Sequence, residues 1–136
     1  MNATTDAIVL DTDVVSRLLR GTLTEDLAAR LIGVTVIVTF VTAGELFRGA
    51  VHARWGRRRL GALTAWLQEV PMLPADSAVA RRWGEITGLA LRAGRPLPAD
   101  DAWIAACCLV HGLALATYNP RHFTDIEELE LVTRAA

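Results

Sequence analysis

Short apolar runs alternate along this chain with stretches of helical periodicity, and that alternation leaves few folds open to it. Residues 8–10, 34–40, 70–73 and 113–117 are such runs, and 129–132 is placed to add a fifth at an edge. Apolar runs without polar alternation read as strands buried on both faces, the habit of parallel sheets. Between them apolar residues take a helical spacing. Val14, Val15, Leu18 and Leu19 precede Gly21; then come 23–32, 42–53, 55–68 with Leu60, Leu63 and Leu67, 75–93, and 100–110 closed by His111 and Gly112. Strands joined by helices form right-handed crossovers. The expected architecture is an α/β/α sandwich around a central, mostly parallel sheet of four to five strands. With 136 residues and no repeat, linker or low-complexity segment, residues 1–136 are expected to form one domain.

Acidic residues stand where those strands hand the chain to helices. They are Asp11 and Asp13 after the first run, Glu45 after the second, and Asp100 and Asp101 ahead of the helix that leads to the fourth. In an open parallel sheet such junctions converge at the carboxyl ends of the strands, where ligands bind. Converging carboxylates repel one another unless they share protons or hold a cation. The pattern points to a metal, and to cutting a phosphodiester.

Each candidate also has a structural duty to weigh. Thr12 or Asp13 can cap the helix that follows the first strand, whereas Asp11 ends a buried strand, where no capping duty is expected. Glu45 is the fourth residue of a capping box opened by Thr42 and can return to the Thr42 amide. Its functional reading rests on the strand before it, which aims this helix start at the same sheet edge as Asp11. Asp100 is the natural cap of the helix over 100–110, leaving Asp101 spare, although an acid in the first turn also favours the helix dipole. Asn119, followed by Pro120, is a turn signal in its own right as well as a site candidate. Thr117, at a strand end, can orient a water or a carboxylate, and Thr12 and Asp100 are further supporting candidates.

Composition narrows the chemistry. Net charge is −1, so any affinity for nucleic acid must come from a local patch. All 14 basic residues are Arg, which removes Lys nucleophiles and Schiff-base chemistry. Positive charge concentrates in Arg54-Trp55-Gly56-Arg57-Arg58-Arg59, with Arg48 nearby. Such a run is either a solvated helix face or an RNA contact through Arg48, Trp55, Arg57 and Arg58, with the Trp stacking on a base. His52, His111 and His122 have no ligand-like spacing, so a histidine metal site is not expected. Cys107 and Cys108 are adjacent and suit neither an ordinary disulfide nor a zinc spacing; they read as small buried residues in a reducing compartment. No signal peptide is visible, and the longest apolar stretch, 31–43, is too short for a bilayer span. A soluble, cytoplasmic protein with no membrane association is expected.

Four segments, in order, resemble a known family. They are Val-Leu-Asp-Thr-Asp-Val-Val-Ser at 9–16, Thr-Ala-Gly-Glu-Leu-Phe-Arg-Gly-Ala at 42–50, Arg-Pro-Leu-Pro-Ala-Asp-Asp-Ala-Trp-Ile-Ala-Ala at 95–106 and Ala-Thr-Tyr-Asn-Pro-Arg-His-Phe at 116–123. Together they resemble PIN-domain ribonucleases, most closely the VapC toxins of bacterial toxin–antitoxin pairs, over nearly the whole chain. The resemblance implies a PIN-like sandwich and a Mg2+-dependent endoribonuclease, with Mn2+ able to substitute. It also implies restraint by a small VapB-like antitoxin, and a homodimer. Its invariant acids fall on Asp11, Glu45 and Asp101, with Asp100 where the family often has Asn. A fourth acidic position falls on Asn119, whose neutral amide departs from relatives with Asp there and leaves the fourth ligand and a second metal open. In that scheme Asp11 and Asp101 hold the metal, and Glu45 orients or deprotonates the attacking water. Water as nucleophile leaves a 5′-phosphate and a 3′-hydroxyl.

Two rivals are distinguishable. A haloacid-dehalogenase-type phosphatase would use Asp11 as a phosphoryl-accepting nucleophile and Asp13 as general acid. It normally needs a Lys, which this chain lacks, and it leaves Glu45 unexplained. A catalytically silent PIN-like module would bind RNA or protein without holding Mg2+ or Mn2+ at the acidic cluster.

Overall fold

The structure, a computed structural model, describes residues 6–133. Five strands, β1 Ala7–Leu10, β2 Thr35–Thr39, β3 Met72–Leu73, β4 Ala114–Ala116 and β5 Leu131–Val132, form one sheet in the order β3-β2-β1-β4-β5. Every ladder is parallel, with Ile8 opposite Val36 on one side and Ala114 on the other. The helices are α1 Thr12–Arg20, α2 Glu25–Arg30, α3 Phe40–His52, α4 Arg57–Glu69, α5 Ser77–Arg92 and α6 Ala99–His111. The alternation of strand and helix read from the sequence is realised, with β5 at the edge.

Successive strand residues face opposite sides of the sheet, and β1 shows the consequence. Leu10 packs with Val14, Val15, Val38, Ala43, Leu63 and Leu67, so α1, α3 and α4 cover its face. Val9 packs on the other face with Ile104, Ala105, Cys108, Leu115 and Phe123. Outside α6 lies α5, joined to it through Val79, Cys107 and the stacked rings of Trp83 and Trp103, 4.7 Å apart. Both cysteines are free and buried; burial pushes the Cys107 thiol up to about 11 and the Cys108 thiol further in the same direction. No helix among the described residues is long and apolar enough to cross a membrane.

Three helix starts differ from the sequence expectation. Asp11 itself caps α1: its backbone is extended, and its carboxylate accepts from the Thr12 amide at 2.9 Å. The capping box at Thr42 and Glu45 does not form, because Phe40 already belongs to α3. The cap is Thr39, whose hydroxyl accepts from the Thr42 amide at 3.3 Å. Asp100 does not cap α6 either. Pro98 holds that position without a side-chain hydrogen bond, and both acids lie in the first turn. Lesser shifts have local causes. Val70 ends α4 and Pro71 donates no ladder hydrogen bond, which pares β3 to two residues. Arg54, in the left-handed region at φ 58, and Gly56 put Trp55 ahead of α4.

The order of the sheet sets the site. Its neighbours β2 and β4 lie on either side of β1, and the order of connection reverses there, which opens a crevice beyond the carboxyl ends of the central strands.

Candidate active site

Asp11 stands at that crevice because the ladder holds it. Its amide still donates to Ala116 of β4 at 2.9 Å, while its side chain turns into the helix cap. The residue is only 7% exposed. Beyond the Thr12 amide, its second oxygen accepts from the buried Thr117 hydroxyl at 2.8 Å. That hydroxyl accepts from the Asn119 amide at 2.9 Å, and the Asn119 side-chain Nδ2 donates to Asp13 Oδ2 at 2.9 Å. The loop after β4 thus grips both acids of the β1–α1 junction. Burial holds the Asp11 carboxyl above its ordinary range; the Thr117 hydroxyl pulls it back and the neighbouring Asp13 pushes it up again. Burial likewise raises Asp13.

Glu45 comes from α3, 33 residues later in the chain, and meets Asp11's neighbour. Thr12 Oγ1 donates to Glu45 Oε1 at 2.6 Å, and the Thr12 and Thr42 hydroxyls are 2.9 Å apart. A hydroxyl has one proton to give, so the chain of donation runs Thr42 to Thr12 to Glu45. The far oxygen of Glu45 is 3.7 Å from Arg48, whose side chain is exposed. Burial raises the Glu45 carboxyl, the Thr12 hydroxyl opposes it, and the Asp100 carboxyl alongside raises it further.

Asp101 closes the cluster from α6. Its Oδ2 lies 3.1 Å from His122 Nδ1. Burial raises its pKa, the His122 imidazole opposes, and Asp11 and Asp100 raise it again. Asp13 thus acts on Asp11, Asp11 and Asp100 act on Asp101, and Asp100 acts on Glu45, a chain of pairs that runs across α1, α6 and α3. Asn119 is present too, but its side chain is engaged with Asp13.

Whether these groups suit a cation is a question of charge. Four carboxylates are held above their ordinary values, and the bases acting on them are Arg17, Arg48 and His122. Among the described residues no group of three or more His, Cys, Asp or Glu side chains is arranged to hold a metal ion. A hard cation that keeps several waters and takes one or two carboxylates directly fits such a set.

The basic run divides. Trp55 is half-buried against the core under α3 and α4, and the Arg59 guanidinium lies 3.9 Å from its ring centroid, so one stacking face is taken. Arg57 lines a shallow groove along α4 with Leu60, Thr64 and Gln68. Arg58 is exposed on the same helix. Arg48 reaches the acids, through Glu45. Sequence reasoning set His122 aside for want of ligand spacing and overlooked Thr42. The first is brought to Asp101 by the turn at Pro120–His122, the second to Thr12 by the packing of α3 on α1, and neither contact has a local signal.

The PIN domain, as a family, matches residues 8–129. Ribonuclease VapC1 of Haemophilus influenzae is 24% identical over 125 residues, covering 90% of this chain and 93% of the relative. The tRNA(fMet)-specific endonuclease VapC of Shigella flexneri is 31% identical over 89 residues, 65% of this chain and 67% of the relative. Among solved structures, VapBC-1 from nontypeable Haemophilus influenzae superposes with a TM-score of 0.82 at 23% identity, covering 93% of this chain and 97% of that one. DNA-bound VapBC from Salmonella typhimurium gives 0.82 at 23%, covering 96% and 98%. These two likenesses are of fold. The chain belongs to the PIN-domain family, and its relatives place it among the VapC-type ribonucleases.

Proposed function

We propose that this single-domain protein is the endoribonuclease toxin of a cytoplasmic toxin–antitoxin pair, hydrolysing RNA phosphodiesters at the acidic cluster with Mg2+, for which Mn2+ substitutes. The observation that carries the proposal is the meeting of Asp11, Glu45 and Asp101 at the carboxyl ends of the central strands, each raised by burial and by neighbouring acids. Asp11 and Asp101 would hold the cation. Each Asp11 oxygen already accepts one hydrogen bond, which leaves a lone pair on each. Bound there, a divalent cation supplies a Lewis acid for the charge that grows on the phosphate oxygens.

Glu45 has the geometry of a base. One oxygen is fixed by Thr12, and the other, 3.7 Å from Arg48, would take a proton from the attacking water; a carboxyl raised above its ordinary range is the better for that work. Asn119 acts through Asp13 rather than directly. RNA would approach over Arg48, Arg57 and Arg58, exposed cations of α3 and α4. A VapB-like antitoxin would silence the site by laying a basic side chain among Asp11, Glu45 and Asp101 beside α3, competing with the metal. The toxin itself would be a homodimer. A phosphatase using Asp11 as nucleophile is disfavoured, since the chain has no Lys and Glu45, fixed by Thr12, would have no role.

The test is cleavage of total RNA by purified protein in Mg2+ and in EDTA, with 5′ ends sequenced. Discrete cuts bearing 5′-phosphates in Mg2+ alone are expected. Cutting that persists in EDTA, or 2′,3′-cyclic ends, would defeat the proposal.

A further inference from the structure

Arg17 and Tyr118 stand beside the acidic cluster, yet neither enters the chemistry described above. Asp13 and Arg17 have the i, i+4 spacing at which an acid and a base ordinarily pair across a helical turn. Here they do not. Asp13 takes the Asn119 side-chain Nδ2 at 2.9 Å, and the Arg17 guanidinium lies over the Tyr118 ring, 4.5 Å from its centroid. Arg17 still acts on Asp13 through space, but among the described residues no ion pair joins it to an acid.

Both partners of the stack are held in place. Tyr118 stands between Thr117, whose hydroxyl donates to Asp11, and Asn119, so the loop that grips the acids of the β1–α1 junction also carries the ring. The Tyr118 hydroxyl accepts from the Thr24 amide at 3.1 Å and lies 3.0 Å from the Thr24 hydroxyl. Arg17 is anchored by its backbone. Its carbonyl accepts from the Thr22 amide at 2.8 Å, where Gly21, at φ 70, ends α1. A guanidinium laid on an aromatic ring keeps its edge N–H donors, loses much of its freedom, and matches the oxygens of a phosphate in pairs. Arg20, further along the same helix, is used otherwise: it is exposed, and its Nε donates to the Ser16 carbonyl at 3.3 Å.

The ligand follows from charge. With a net charge of −1 and acids gathered at the crevice, an RNA strand is repelled from this edge unless local cations meet its phosphates. A divalent ion can serve the phosphate that is cut, but its neighbours along the strand need side chains of the protein. Arg48 stands to Glu45 on α3 as Arg17 stands to Asp13 on α1, about one turn beyond an acid. We propose that Arg17, aligned by Tyr118, binds an RNA phosphate next to the scissile one. Arg17 is then a substrate-binding residue and Tyr118 its positioning residue. This rests on the ribonuclease reading of the site and deepens it by naming where the strand is gripped beside α1.

The experiment measures binding of a fluorescent single-stranded RNA to the full chain in EDTA over a range of salt, and cleavage of the same RNA in Mg2+. The proteins are the parent, Arg17→Gln, Arg20→Gln, Tyr118→Phe and Tyr118→Leu. Arg17→Gln should weaken binding a few-fold and lower the slope of log affinity against log salt by about 1. In cleavage it should raise KM and leave kcat near the parent's, the mark of lost uniform binding. Arg20→Gln should keep the parent's slope. Tyr118→Phe retains the ring and should bind as the parent does, whereas Tyr118→Leu should bind as weakly as Arg17→Gln. A parent-like slope in Arg17→Gln, or an equal loss in Arg20→Gln, overturns the proposal; parent-like binding by Tyr118→Leu overturns the positioning role. If Tyr118→Leu does not fold, the contrast of Arg17→Gln with Arg20→Gln decides. A parent that neither binds nor cuts RNA would instead overturn the ribonuclease reading on which the proposal stands.

Discussion

The starts of α1 and α6 both bring acids to the crevice, but they are built differently. At α1 one residue does two things: Asp11 caps the helix, and it is wired through Thr117 into the end of β4. At α6 the cap is Pro98, which makes no side-chain hydrogen bond, so neither Asp100 nor Asp101 is used for helix termination. Asp101 instead touches His122 on a turn from a distant part of the chain. One acid is part of the scaffold, and the other is mounted on it. Function and stability should therefore both depend on the side chain at position 11, whereas at position 101 function should depend on it alone.

The largest effect is expected where they separate. Asp101→Asn keeps the shape of the side chain and removes the charge that helps hold a cation. RNA cleavage should fall by roughly 100-fold or more, the scale of losing one well-placed electrostatic group. The unfolding midpoint should not fall below the parent's. A mutant that cuts at the parent rate would show that α6 merely carries surplus acids.

At α1 the loss should come in two parts. Asp11→Ala removes the charge, the cap and the acceptor for Thr117, and should cost about 1–3 kcal/mol of stability along with activity. Asn caps a helix about as well as Asp, so Asp11→Asn should lose activity as completely while retaining most of that stability. Denaturant melts of the two variants sharpen the contrast. Equal stability would mean that the cap contributes nothing.

A smaller effect is common to the acids of α1, α3 and α6. Burial raises Asp11, Asp13, Glu45 and Asp101 in the fold. A group whose folded pKa lies above its unfolded value stabilises the fold below the unfolded pKa and loses that contribution as pH rises through the folded one. In EDTA the protein should therefore gain stability as pH is lowered from about 7 toward the carboxylate range. Saturating Mg2+ should flatten that slope by favouring the ionised acids. Melts in EDTA whose midpoint does not rise over that interval would show that the acids are not under mutual strain.

The smallest change concerns the basic run. Arg57→Ala and Arg58→Ala should each weaken RNA binding a few-fold and lower the slope of log affinity against log salt by about 1. Trp55→Ala should act mainly on stability, because its ring packs on the core beneath Arg59. A Trp55 variant of normal stability that binds RNA poorly would restore the stacking role read from the sequence.

Periodicity and residue type were enough to determine the alternation of strand and helix, the parallel sheet and the three places where acids collect. These are local properties: an apolar run buries itself on both faces wherever the sheet puts it, and a helix start follows from the few residues around it. The same local logic went astray over caps. Asp11, Thr39 and Pro98 cap α1, α3 and α6, not the residues nearest the helical pattern, because β1 and β2 run straight into α1 and α3, and α6 already starts at Ala99 behind the loop from α5. What only the tertiary structure decided is who meets whom. Thr12 reaches Glu45 across 33 residues, Thr117 reaches Asp11 across 106, and His122 finds Asp101, because parallel crossovers carry remote strand ends to one edge. No window of sequence contains those pairs, so the acids were legible one by one and their wiring was not.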